Sequence, residues 1–202
     1  DDTGADPTGR GRQGETAAEY YPRAGIWAEF GKIICISVGI FAQQNNQTSF
    51  RVKSFADDDE CALLTDFISL LDKQPSSIVL CAHNGREFDF PYLCRRTLIN
   101  SLCIPQQLRI SGKKPWEINH IDTMDLWKFG DHKNYTSLNL LAAVFNIPTP
   151  KDDISGSDVH RVYWKERDLE RIKTYCQKDV ITTAQLLLRF KGLPLLEEGQ
   201  IT

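Results

Sequence analysis

The sequence predicts an α/β sandwich, a sheet with helices on both faces. Three observations predict it. Apolar runs of strand length come early in the chain. Stretches of helical apolar spacing interleave with further short runs. The last long segment carries one continuous apolar stripe that needs a sheet to pack against. At 202 residues the chain fits one domain with short extensions.

The elements follow in order. Residues 1–22 are rich in Gly, Asp, Thr and Arg and lack apolar periodicity, which predicts a flexible segment. Residues 32–41 (KIICISVGIF) read as a buried strand, and residues 49–55 (SFRVKSF) alternate as its neighbour. Asp57, Asp58, Asp59 and Glu60 then precede Leu63, Leu64, Phe67, Ile68 and Leu71 at helical spacing. Acids suit the positive start of a helix, and Asp57 with Glu60 has capping-box spacing. Residues 77–82 (SIVLCA) predict another buried strand. Residues 88–101 predict a helix with Pro91 in its first turn. A shorter strand is expected within 119–127 and a helix over 137–145. Pro148, Pro150 and Gly156 mark a loop. The last element covers 168–190, where Leu169, Ile172, Cys176, Val180, Thr183, Ala184 and Leu187 form the stripe. Burial stabilises by ~1.5–3 kcal/mol per large side chain, enough to anchor this helix on a sheet.

Composition excludes several classes. With 24 Lys+Arg against 27 Asp+Glu the net charge is -3, so no bulk basic footprint for duplex binding exists, although a local one can. No apolar run reaches the ~20 residues of a membrane helix. Cys35, Cys61, Cys81, Cys94, Cys103 and Cys176 form no C-x-x-C pair, which argues against structural zinc. Buried free thiols in a reducing cytoplasm are the expectation. No G-x-S-x-G, phosphate-binding G-x-x-x-x-G-K-[ST] or H-E-x-x-H motif occurs.

Two segments carry the candidate chemistry. His83-Asn84-Gly85-Arg86-Glu87-Phe88-Asp89 follows the 77–82 strand, so Asp89 falls at a strand's C-terminal edge, where open α/β sheets place their sites. Tyr175-Cys176-Gln177-Lys178-Asp179 lies in the last helix, where Tyr175 and Asp179 share one face. Taken singly, Asp89 fits a helix-start acid, Asp179 a solvated helix acid and Tyr175 a half-buried ring.

In order, Asn-x-x-x-Phe-Asp after a strand and Tyr-x-x-x-Asp in a late helix resemble the second and third motifs of DEDDy 3′–5′ exonucleases. Residues 23–41, 110–126, 127–141 and 148–159 look like a predicted 3′–5′ exonuclease family related to the proofreading domain of family B DNA polymerases. The resemblance covers about residues 23–192, leaving 193–202 as a tail. It implies a ribonuclease H-like mixed sheet and phosphodiester hydrolysis at the 3′ end of single-stranded DNA, with RNA as an alternative. It also implies two Mg²⁺ or Mn²⁺ ions held by carboxylates that include Asp89 and Asp179. Tyr175 would orient the attacking water. Hard divalent ions prefer carboxylate oxygen, and two of them offset the charge that builds on a phosphodiester.

The resemblance also implies a first strand carrying Asp-x-Glu before Lys32, and no such strand is present. Asp58-Asp59-Glu60 has the spacing but follows two strands, and Asp168-Leu169-Glu170 lies in the last helix. The chain starts at Asp1 and its single Met is Met124, so an upstream segment is expected. Without it the metal site would be incomplete and turnover slight. A non-catalytic nucleic-acid-binding module is the competing expectation.

For the nucleic-acid strand, Asn84 and Phe88 flank Asp89. Asn84 could bond the terminal nucleotide, and Phe88 could pack near its base or in the core. Lys151 belongs to a locally basic stretch, residues 91–151, with Arg95, Arg96, Arg109, Lys113, Lys114, Lys128 and Lys133. Trp116, Trp127, Phe129 and Tyr135 are interleaved, and bases on phosphates with aromatics for stacking suit a single strand. His83 reads as structural. Whether a polymerase partner exists is left open.

Overall fold

A computed structural model describes residues 24–44, 47–131, 135–148 and 153–202. The expected flexible segment 1–22, Lys133 and Lys151 lie outside the described residues. Strand β1 (Cys35–Gln44) pairs antiparallel with β2 (Gln47–Ala56), in a register running from Cys35 opposite Ala56 to Gln44 opposite Gln47. Alternation sorts the side chains onto two faces. Ile36, Val38 and Phe55 pack against Leu63, Leu64 and Phe67 of helix α1 (Glu60–Asp72). Phe50 and Val52 pack on the opposite face against Ala184 and Leu188 of the last helix, α5 (Leu169–Phe190). This sheet therefore has a helix on each face, as predicted.

The remaining strands are shorter than the sequence predicts. Apart from the β1–β2 pair, among the described residues only β3 (Cys81–Ala82) and β4 (Ile121–Asp122) form a ladder, and they run parallel. Along the expected 77–82 strand, Val79 is exposed and the Leu80 N–H donates to the His120 ring at 3.2 Å. A side chain supplies a bond that a neighbouring strand supplies in a longer ladder. The described strands thus make two separate two-stranded sheets where one mixed sheet was expected. Helix α5 packs across β1, β2 and β3 and so ties the two sheets together.

β1 is buried only over its first half. Ile36 is buried, whereas Ile40 and Phe41 are exposed. Helix α1 is capped by Asp59, whose Oδ1 accepts from Cys61 and Ala62 at 2.9 and 3.1 Å. This corrects the Asp57–Glu60 capping box. Asp57 instead accepts the Asp59 N–H, and Glu60 turns inward to Arg96. Helices α2 (Asp89–Ile99), α3 (Thr123–Lys128) and α4 (Leu138–Val144) follow. A helical turn at Val159–Arg161 widens into a π-type turn, Val162–Glu166. None of the helices among the described residues is long and apolar enough to cross a membrane.

Asp168 caps α5, accepting the Arg171 N–H at 3.0 Å. Of the predicted stripe, Ile172, Ala184 and Leu187 are buried, and Thr182 is buried in place of Thr183. The helix sinks deeper towards its end because Leu141 and Ala142 of α4 and residues 193–202 both pack on it. Gln185 exchanges two hydrogen bonds with the Leu196 backbone, at 2.8 and 2.9 Å. Thr202 then pairs with Phe50 and Val52 of β2. All six cysteines are free, but Cys61 and Cys103 are exposed and the others only half-buried, so the expectation of buried thiols fails.

Candidate active site

The turn after β3 is built around Asp122. This carboxylate is 3% exposed. Its Oδ1 accepts from the Asn84 and Met124 N–H groups at 2.8 and 3.0 Å, and its Oδ2 accepts from the Arg86 N–H at 3.0 Å. One side chain therefore caps α3 and pins residues 84–86. Asn84 takes a left-handed backbone, φ 59°. At Gly85 an added Cβ would collide with the Ala82 side chain, so the turn stays tight. The Arg86 guanidinium binds the Ile118 and His120 carbonyls and Asp125, tying the turn to the β4 segment. The sequence reading missed Asp122 and Arg86 as positioning residues. An Asp where a strand meets a helix start was the available signal for Asp122.

That turn presents Asp89 in the first turn of α2. Asp89 reaches solvent, yet protein crowds around its carboxyl. Crowding is the main cause that pushes its carboxyl up to about 6, and the nearby Asp122 and Asp179 carboxylates push the same way. Helix α5 supplies Asp179 and, one turn earlier, Tyr175. Tyr175 packs with Cys35 and Cys176 against Ile34 and Ile172, and its hydroxyl lies 3.9 Å from where a Cβ on Gly156 would sit. The structure thus brings Asp89 and Asp179 into electrostatic contact and places Tyr175 on the helix that carries Asp179.

The flanking residues divide. Phe88 is 45% exposed and stacks obliquely on Tyr92, with ring centroids 5.5 Å apart, so the core alternative for it fails. The Asn84 Oδ1 is buried without a hydrogen-bond partner among the described residues. His83 contacts Thr123 Oγ1 at 2.9 Å and the Thr136 carbonyl at 2.8 Å, and burial holds its ring below the ordinary histidine value. A neutral ring that donates from Nε2 to Thr136 and accepts from Thr123 satisfies both contacts, in keeping with a structural role.

The basic stretch loses members. Arg96 is buried in a salt bridge with Glu60, and Lys128 pairs with Asp125 and Glu87. Trp127 packs on Phe145 and Phe190 in the core. Arg95, Arg109, Lys113, Lys114, Trp116, Phe129 and Tyr135 remain exposed. The two substitute motifs fall away as well, because Asp59 and Asp168 cap helices and Glu60 is buried.

A mixed α/β domain with carboxylates from a strand-end turn and a long helix in electrostatic reach of each other is the class the fold and site define. Residues 26–197 match the family described as predicted 3′-5′ exonuclease related to the exonuclease domain of PolB, and the chain belongs to that family. The matched span contains Asp89, Tyr175 and Asp179.

Proposed function

We propose that this domain is a metal-dependent 3′–5′ exonuclease that hydrolyses single-stranded DNA from its 3′ end by a two-metal mechanism. One observation carries the reading. Two carboxylates from distant parts of the sequence, Asp89 and Asp179, come within electrostatic reach of each other, and Tyr175 stands one helical turn from the second.

The residues fit a divalent ion. Both carboxylates offer hard oxygen, and burial, with smaller pushes from the Asp122 and Asp179 carboxylates, raises the Asp89 carboxyl, a cost that a bound cation would relieve. Asp89 and Asp179 would hold Mg²⁺ or Mn²⁺, which when bound supplies an activated water and a counter-charge for the leaving oxygen. Among the described residues no group of three or more His, Cys, Asp or Glu side chains gathers as a metal centre. Further carboxylates must therefore come from elsewhere.

A strand carrying Asp-x-Glu, laid between the free edge of β1 and that of β3, would supply them and join the two sheets into one ribonuclease H-like sheet. Both edges lack strand partners among the described residues, and α5 already spans the two sheets. Tyr175 orients the attacking water through its hydroxyl, a phenol being too weak a base at neutral pH to do more. Exposed Phe88 stacks on the terminal base and the Asn84 amide bonds that nucleotide. Trp116, Phe129 and Tyr135, with Lys113 and Lys114, line the path of the strand.

The test is a 5′-labelled single-stranded oligonucleotide incubated with the full-length protein and Mn²⁺ or Mg²⁺. Mononucleotides should leave stepwise from the 3′ end, and Asp179→Ala should abolish the ladder. A parallel RNA oligonucleotide reads the preference for sugar. Activity retained in Asp179→Ala would sink the mechanism. Binding without cleavage would favour the non-catalytic module.

A further inference from the structure

Two of the six free thiols meet, and they do so between β1 and α5. Cys35 opens β1 and Cys176 lies in the middle of α5. Both pack on the cluster of Ile34, Val162 and Ile172, and their thiols hydrogen-bond each other. Residues 141 apart in sequence are thus brought together by the packing of the helix on the strand. Neither side chain is fully buried, so a small oxidant can reach them. The exonuclease reading uses neither thiol.

We propose that Cys35 and Cys176 are a redox-active pair that closes into a reversible disulfide when a peroxide reaches it. The two sulfurs are not equivalent. The Cys176 S–H donates to Cys35, which holds the Cys35 thiol below its ordinary value against burial and the Glu170 carboxylate, with help from the Ser37 hydroxyl and the Lys173 ammonium. The same bond holds the Cys176 thiol above its ordinary value, reinforced by burial and by Asp179 and Asp89. Cys35 is therefore the sulfur that attacks and Cys176 the one that resolves.

The Cys35 thiolate attacks one oxygen of the peroxide. The O–O bond breaks, and the departing hydroxide takes up the proton that Cys35 released, leaving as water. Cys35 is then a sulfenic acid. The Cys176 sulfur attacks the Cys35 sulfur, the S–O bond breaks, and the hydroxyl leaves with the Cys176 proton as a second water. Two thiols have lost two electrons and one peroxide has gained them. A dithiol reverses the bond by exchange. Once formed, the bond clamps α5 to β1 beside Tyr175, one turn before Asp179.

The experiment needs no nuclease activity, so its failure and that of the exonuclease reading are separable. The folded protein is treated with hydrogen peroxide, quenched with an alkylating agent in denaturant, digested and examined by mass spectrometry. The expected result is a Cys35–Cys176 cross-linked peptide as the dominant disulfide, ahead of any involving exposed Cys61 or Cys103, and its disappearance with dithiothreitol. In Cys176→Ser, Cys35 should be left as a sulfenic acid that dimedone traps. Both cysteines recovered as free thiols, or oxidised without the cross-link while other cysteines pair, would overturn the proposal. So would a dimedone adduct on Cys176 in Cys35→Ser that forms faster than the Cys35 adduct in Cys176→Ser.

Discussion

Arg96 sits in the locally basic stretch, but its charge is spent inside the protein. Its guanidinium grips the Glu60 carboxylate, Glu60 also accepts the Ile33 N–H at 2.6 Å, and Asn100 donates to the same carboxylate at 3.0 Å. Hydrogen bonding to Arg96, Ile33 and Asn100 holds the Glu60 carboxyl below its ordinary value although burial opposes this, and the bond to Glu60 raises the Arg96 guanidinium. Removing one partner leaves a buried charge alone. Arg96→Ala should therefore lose ~3–5 kcal/mol in urea denaturation, far more than an exposed charge such as Arg95. Asp89 has the opposite balance. Its folded value, about 6, lies above its ordinary 3.8, so the folded protein holds this proton more tightly than the unfolded chain does. That contribution is complete below about pH 4 and is lost as pH rises through about 6. In chelator, Asp89→Asn should melt above the parent at neutral pH, with the gain shrinking to nothing in melts near pH 4. A gain independent of pH would show that the carboxylate is not under strain. Sequence marked Asp89 through its position after a strand. It could not show Asp122 or Asp179 as its neighbours, because the fold alone brings together residues that lie tens of positions apart.

At the scale of elements, periodicity read the helices well. The stripe on α5 and the apolar spacing of α1 both lie where they were expected, since helical burial is written in local spacing. Short strands were less legible. SIVLCA has the apolar content of a buried strand, but a ladder needs a partner, and only Cys81 and Ala82 find one. Gly39 in β1 shows another cross-strand demand. The Phe50 ring of β2 lies over it, so an added Cβ would strike the ring. Gly39→Ala should cost ~1–3 kcal/mol in chemical denaturation, as overpacking does, and displace Phe50 from Ala184 and Leu188. A loss below that range would mean that the ring swings aside freely. At the start of α1, Asp59→Ala should remove about 1 kcal/mol, whereas Asp57→Ala should remove less, because Asp59 is the residue that caps the helix. Equal losses in thermal melts would restore the rejected capping box.

For the whole molecule, the proposed metal site makes a prediction apart from catalysis. Mn²⁺ should raise the melting temperature of the parent protein by binding the folded state, and neither Asp89→Asn nor Asp179→Ala should respond. An equal shift in all three would place the ion elsewhere. The sequence by itself determined the mixed α/β character, the main helices and the family, whose match covers residues 26–197. Each of these is encoded in spacing along the chain. Only the tertiary structure decided that Asp89 and Asp179 come within electrostatic reach, that Asp122 holds the turn in place, that Arg96 is a core residue, and that Cys35 meets Cys176. The physical reason is common to all four. A side chain's charge state, burial and reactivity are set by what packs against it, and here those neighbours arrive from distant segments, for Asp179 and Cys176 when α5 folds across both sheets.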